Sequence, residues 1–244
     1  MNIERRRVLK TLFLAGTALA APQWVFGREY GRGQGVPWEP LTGDIPYHGT
    51  LEERFFTSQE RETVAAVFAI LIPSDEDGPG AAEAEAVTFI DRQLAGFYGA
   101  AQHWYMKGPF PKGAATQGYQ SEHPPAQLYR LGLRELDLHC EREFGVPFRR
   151  LSEDDRHSVL EGLDNEEIEF TDLSAKTFFD LMLENVIEGF FSDPIYGGNR
   201  DLIGWRYVGF PGARYDYREF VNHNGARLDL PPVGLMGRPA WVRN

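Results

Sequence analysis

Cysteine is all but missing from this chain: Cys140 is the only one in 244 residues. That excludes an internal disulfide, a cysteine-based metal site and an iron–sulfur cluster, and without Cys-x-x-Cys-His no haem is attached covalently. Lysine occurs only at 10, 107, 112 and 176, so arginine supplies almost all the positive charge. Positive charge is itself short. The formal net charge is −11, the wrong sign for nucleic acid, which needs a basic patch. No apolar run reaches the ~20 residues of a membrane span. Strand-like alternation of apolar and polar residues is scarce, and there is no internal repeat.

Catalytic motifs are missing as well. The six histidines stand at 48, 103, 123, 139, 157 and 223, with no two placed to pair on one helix. A di-iron bundle needs Glu-x-x-His on two helices, whereas this chain offers only Asp154-x-x-His157, at a helix start where both side chains face solvent. No Gly-x-Ser-x-Gly elbow occurs. Adjacent carboxylates such as Glu166-Glu167 and Asp154-Asp155 diverge around a helix rather than converge. The run Gly31-Arg32-Gly33-Gln34-Gly35 has Val36 where a dinucleotide loop needs its third glycine. Asp75-x-Asp77-Gly78 is half a calcium loop without the downstream ligands. The sequence therefore assigns no catalytic, cofactor-binding or metal-binding residue to this chain.

What is present begins with an export signal. Glu4-Arg5-Arg6-Arg7-Val8-Leu9-Lys10 precedes a short apolar run that ends at Ala18-x-Ala20, the layout of a signal peptide over residues 1–20. Arg5, Arg6 and Leu9 fit the twin-arginine type, which is read by a translocase that exports folded proteins; Glu4 stands where Ser or Thr is usual. Removal of the segment takes away four basic groups and one acid, moving the net charge from −11 to −14. The expected location is the periplasm, with any membrane contact made through a partner. Residues 21–50, rich in Gly, Pro and polar groups, read as an extended arm.

Helical periodicity dominates residues 51–212. Thr57-x-x-Glu60 is a capping box, and Val64, Val67, Phe68 and Leu71 form one apolar face up to Pro73. An acidic turn, Ser74 to Gly80, is expected to cap a second helix over about Ala82 to Phe97, with Val87, Ile90, Leu94 and Phe97 buried. Pro124-Pro125 opens a third helix, marked by Tyr129, Leu133, Leu136, Cys140 and Phe144 and closed at Gly145; Cys140 reads as a plain buried thiol. Ser152-x-x-Asp155 caps a shorter helix with Val159, Leu160 and Leu163. The strongest pattern runs from about Leu173 to Phe191, with Phe178, Met182, Val186 and Phe190 as its core stripe. The expected fold is mainly α: a single helical domain with extended arms at both ends, the C-terminal one at 213–244.

The fifth helix delivers the chain into residues 193–212, where five glycines and two prolines exclude a regular helix or central strand. The rings in that segment mark it as an ordered loop rather than a solvated linker. Residues 193–220 hold seven aromatics, a quarter of the positions against 13% for the chain. Either these rings fill the chain's own core, or they face a partner or ligand. Gly197-Gly198-Asn199 allows a turn with positive φ, to which Asn199 can add a side-chain hydrogen bond.

The run Gly189-Phe190-Phe191-Ser192-Asp193-Pro194-Ile195-Tyr196-Gly197-Gly198-Asn199-Arg200, followed by Gly204-Trp205 and Gly209-Phe210-Pro211-Gly212, resembles the gluconate 2-dehydrogenase subunit 3 family. A second block agrees: Ile70-Leu71-Ile72-Pro73-Ser74-Asp75, Gly78-Pro79-Gly80-Ala81 and Phe89-Ile90-Asp91. Together they cover roughly 55–215. The resemblance implies a small (gamma) subunit of a bacterial flavin-dependent sugar, polyol or sugar-acid dehydrogenase. In such complexes a large FAD-dependent (GMC-type) subunit oxidises the substrate, and a cytochrome c subunit, where present, takes the electrons. The small subunit has no cofactor of its own; it carries the export signal and stabilises the flavoprotein. On this reading Tyr196, Gly197, Gly198, Asn199, Arg200, Trp205, Tyr207 and Phe210 form the partner-facing surface. Two other readings of loop 193–212 stand beside it: a free-standing periplasmic enzyme, and a sugar-binding module in which Trp205 and Tyr207 stack on a pyranose.

Overall fold

The computed structural model describes residues 55–111, 113–214, 217–222, 225 and 230–235. The signal peptide and the N-terminal arm lie outside the described residues, as does most of the C-terminal tail. The chain divides into two compact units, Glu39–Tyr215 with His223–Asn244, and Met1–Trp38 with Asp216–Asn222. Of the second, the described residues are the 3₁₀ turn Arg218–Phe220 and its flanks. The first unit is mainly α, and among the described residues it contains no strand, only an isolated parallel bridge between Gly212 and Val233.

Five helices build its core: α1 (Ser58–Leu71), α2 (Ala86–Ala95), α3 (Pro125–Phe144), α4 (Glu153–Asp164) and α5 (Ala175–Phe191). Their ends follow the signals in the sequence. At α1 the Thr57 hydroxyl accepts from the Glu60 amide at 3.3 Å, and the Glu60 carboxylate accepts from the Thr57 amide at 2.8 Å. Pro125 stands at the first position of α3, and Gly145 closes that helix at φ 77, where a Cβ would be strained. Ser152 and Ser174 accept amide hydrogens from Asp155 and Thr177 to cap α4 and α5.

Helix α5 is the hub, touching α1, α2, α3, α4 and the segment after it. Phe178, Met182, Val186 and Phe190 are buried along it, as their spacing predicts. Gly132 of α3 meets the Phe178 ring so closely that a Cβ there would lie 2.3 Å from it. The rings of Phe56, Tyr129 and Phe178 continue the contact at centroid spacings of 5.7 and 5.8 Å. Each such ring removed from water contributes roughly 1.5–3 kcal/mol. Buried Asp91 of α2 pins the start of the described chain: its carboxylate accepts from the Phe55 and Phe56 amides, both at 2.8 Å, and from Arg61 at 2.9 Å.

Four expectations need correction. Helix α2 starts at Ala86 rather than Ala82, because Ala81–Glu85 forms turns that end with Glu85 in the left-handed region (φ 53). The acidic turn does not cap α2. Asp75 folds onto its own turn, accepting from the Asp77 and Gly78 amides, and the residue preceding α2 makes no side-chain cap bond. Phe97 and Phe144 are exposed, Phe97 at 60%. Helix α2 has ended at Ala95 and the chain reverses at Gly99, where a Cβ would lie 2.0 Å from the Leu94 carbonyl oxygen, so helical spacing no longer places Phe97. Phe144 falls at the last position of α3, beyond the packed stripe that ends at Cys140. Finally, segment 193–212 does contain a short helix, α6 (Ile203–Val208). Its one glycine, Gly204, lets α6 lie against α5: a Cβ there would be 2.3 Å from the Phe190 carbonyl oxygen.

Candidate partner-facing surface

Helix α5 ends at Phe191, and Asp193 starts the next turn by accepting from the Ile195 amide at 3.1 Å. Its second carboxylate oxygen accepts from the Leu235 amide at 2.6 Å, which ties residues 230–235 to the foot of α5. Pro194–Tyr196 makes one 3₁₀ turn, closed by Gly197 at φ 102. Gly198 then passes the end of α5, where a Cβ would lie 2.1 Å from the Gly189 carbonyl oxygen. Backbone against backbone leaves no room for any side chain.

Asn199 organises the turn into α6. It is 0% exposed, at φ 45. Its Nδ2 donates to the Ser192 carbonyl and its Oδ1 accepts from the Gly204 amide, both at 2.8 Å. Its own amide donates to the Gly189 carbonyl at 3.0 Å. One side chain therefore ties the end of α5 to the start of α6. Asp201 and Leu202 also have positive φ, 54 and 58. Left-handed backbone costs a non-glycine residue ~1–2 kcal/mol. Here that strain is offset by Asn199's hydrogen bonds, by the Arg200 amide on the Ala84 carbonyl at 3.1 Å and by the complete burial of Leu202. The Arg200 guanidinium pairs with Glu85, the residue before α2.

Trp205 is 7% exposed. Its indole N–H donates to the Phe191 carbonyl at 2.7 Å, and the Phe210 ring meets it edge-on at 5.0 Å. The eight residues assigned to the surface thus fall into two sets. Gly197, Gly198, Asn199 and Trp205 are used inside the chain. Tyr196, Arg200, Tyr207 and Phe210 are exposed, Tyr207 at 54% and Phe210 at 47%. Trp205, covered by Phe210, has no free face for a sugar. The Tyr207 ring lies over Gly78, where a Cβ would be 2.3 Å from it. Arg5, Arg6 and Leu9 of the export signal lie outside the described residues.

Sequence reasoning missed a second feature of this end. A shallow groove of about 410 Å³ runs between α2 and α5, lined by Phe89, Gln93, Tyr98, Ile187, Glu188 and Phe191. Beneath it, buried Asn185 accepts from the Tyr129 hydroxyl at 3.0 Å and donates to the Tyr98 hydroxyl at 3.1 Å and to Glu188 at 3.0 Å. Burial pushes the Tyr98 hydroxyl up to about 12 and Tyr129 well above its ordinary value, so both act as neutral hydrogen-bonding groups. Burial first, and then Glu184 one turn earlier, raises the Glu188 carboxyl. The signal was an asparagine one residue before Val186 on the apolar stripe of α5.

The remaining candidate groups are dispersed. Asp154 and His157 are exposed. Burial, followed by Asp137, pushes the Cys140 thiol up to about 12 and leaves it inert. Among the described residues no cluster of His, Cys, Asp or Glu could hold a metal ion, and no helix is long and apolar enough to cross a membrane.

No curated protein and no solved structure matches the chain. A family model does: that of gluconate 2-dehydrogenase subunit 3, over residues 58–212. The match runs from the first residue of α1 to Gly212, so it takes in the bundle and the whole Asn199-centred segment. The chain belongs to the gluconate 2-dehydrogenase subunit 3 family.

Proposed function

We propose that the chain is a non-catalytic accessory (gamma) subunit of a periplasmic dehydrogenase that oxidises sugars, polyols or sugar acids. It binds and stabilises a large FAD-dependent, GMC-type subunit, and a cytochrome c subunit joins where electrons leave the complex. The observation that carries this reading is the side-chain division at residues 193–210. Glycine contacts and Asn199 are committed to holding the segment rigid, while Tyr207, Val208 and Phe210 remain turned outward, and the preceding α5 exposes Ile187 and Phe191 as well. A closed core has no need of this apolar display; a subunit interface, enriched in aromatic residues and Arg, does. The family's name, that of one subunit of a dehydrogenase, points the same way.

The flavin belongs to the large subunit in this reading. A dinucleotide site needs a glycine turn between a strand and a helix. Gly145, Gly197 and Gly209 close helices or 3₁₀ turns instead of joining a strand to a helix. Cofactors supply the hard chemistry; this chain would supply the surface that orients and protects the protein holding it. Arg5, Arg6 and Leu9 would take the folded pair through the twin-arginine translocase.

The test is co-expression of the tagged chain with a large GMC-type flavoprotein from its native host. Stoichiometric copurification is expected, with flavin and dye-reducing activity confined to the large subunit. The paired change Arg5→Lys and Arg6→Lys should leave both proteins in the cytoplasm. Flavin bound to the tagged chain alone, or periplasmic dehydrogenase activity surviving the paired change, would contradict the accessory and escort roles respectively.

A further inference from the structure

We propose that the α2–α5 groove is the receptor for an arginine side chain presented by the large subunit, with Glu188 as its acceptor. This rests on the accessory-subunit reading above and names the contact it requires. Glu188 is held from behind: Asn185 Nδ2 donates to one carboxylate oxygen at 3.0 Å, and Asn185 is itself fixed by the Tyr129 and Tyr98 hydroxyls. Tyr98 is braced in turn by Trp104, edge-on at 5.6 Å, whose ring lies 4.6 Å from that of Tyr119. The second Glu188 oxygen accepts no hydrogen bond among the described residues. The carboxylate is thus preorganised at the mouth of the groove, with one oxygen committed and one open.

Charge and shape select the occupant. Glu188 is exposed to solvent as a residue, but partial desolvation of its carboxyl and the neighbouring Glu184 both disfavour the ionised form, so an arriving cation relieves a cost already present in the free subunit. The guanidinium of Arg92 on α2 lies against Gly197, where a Cβ would be 2.7 Å from its Nη1, and does not line the groove. Apart from Gln93, the walls are rings and an aliphatic chain: Phe89, Tyr98, Phe191 and Ile187. A lysine ammonium is compact and strongly hydrated, and would lose its water against such walls. A guanidinium is planar, weakly hydrated and able to stack on aromatic faces while its edge donates to a carboxylate.

The experiment measures binding of the large flavoprotein to this chain and to four single variants, with thermal melting as the check on folding. Glu188→Gln should weaken binding at least about tenfold, and Glu188→Arg should abolish it. Ile187→Arg sets a competing cation at the groove without touching the Asn185 network, and should weaken binding even if the Glu188 variants fold poorly. Glu184→Gln should cost about two- to threefold and reduce the salt dependence. One Arg→Glu change on the large subunit should restore binding to Glu188→Arg. If folded Glu188 and Ile187 variants bind like the unmodified chain, the complex stands and the groove is not its receptor. If the unmodified chain retains no large subunit, this inference falls with the accessory role. Self-association of the isolated chain that Glu188→Arg abolishes would assign the groove to a second copy and also overturn it.

Discussion

In α5, four apolar side chains from Phe178 to Phe190 fill one face, and the helix is held by what it buries. A few residues later, in segment 193–212, order comes from one buried asparagine, glycines that let backbones touch, and one indole. The bundle is redundant, with many rings sharing the load. The segment is not: a handful of bonds, all from Asn199 and Trp205, tie α6 to the end of α5. Bundle positions should therefore tolerate conservative change, while the segment should fail at single atoms. The segment's outward rings, which none of those bonds use, are left for a partner.

The largest effects should come from matched ring deletions on the two sides of this comparison. Phe178→Ala and Trp205→Ala should each cost ~3–5 kcal/mol in urea unfolding. The first should lower global stability alone. The second should also expose the amides around residues 199–210 to hydrogen exchange, because α6 loses its tie to the Phe191 carbonyl. Equal exchange at those amides in both variants would erase the distinction.

Next is Asn199→Ala, which leaves the Ser192 carbonyl and the Gly204 amide without partners and puts alanine at φ 45. Two unsatisfied buried groups should cost about 2–4 kcal/mol. Asn199→Gly separates the causes: it relieves the backbone but not the lost bonds, and should recover only about 1 kcal/mol. Full recovery by glycine would mean that the hydrogen bonds matter little.

Smaller still is Glu60, where bundle and capping meet. Partial burial works to raise its carboxyl, but hydrogen bonds from Arg130 and Thr57 outweigh it and leave the group below its ordinary value of 4.5. A lowered folded value means that the stabilisation is complete above about pH 4.5 and is lost as pH falls through the folded value. Glu60→Gln should cost about 1 kcal/mol at neutral pH, the partly exposed ion pair being screened by solvent. The difference from the unmodified chain should vanish in acid. A pH-independent difference would assign the effect to packing.

Most of the bundle was legible in the sequence because each signal acts locally. Thr57-x-x-Glu60, Pro124-Pro125, Gly145 and Ser152 mark helix ends by satisfying their own nearest backbone groups, and the α5 stripe needs only a period. Phe97 was misplaced because periodicity assumes that the helix continues, whereas Gly96 and Gly99 turn the chain back. In the segment, the turn at Gly197 and Asn199 and a hydrogen-bonding role for Asn199 could be read from residue type. Its partners could not: Ser192 and Gly204 become neighbours only when the glycines let the loop touch α5. The same holds for Trp205, whose burial depends on a carbonyl fourteen residues away. The Glu188 groove needed three helical or turn segments in place, and only Asn185, polar on an apolar stripe, hinted at it.

If segment 193–212 is built by its inner residues and displays its outer ones to the flavoprotein, inner and outer substitutions must separate stability from binding. The most direct test is the double variant Tyr207→Ser, Phe210→Ser, followed by thermal melting and by copurification of the large subunit. Both rings are half exposed, so stability should fall by no more than about 2 kcal/mol, most of it from uncovering Trp205, while the large subunit is lost from the purified complex. A variant that unfolds, or one that melts normally and still retains the large subunit, would contradict the claim.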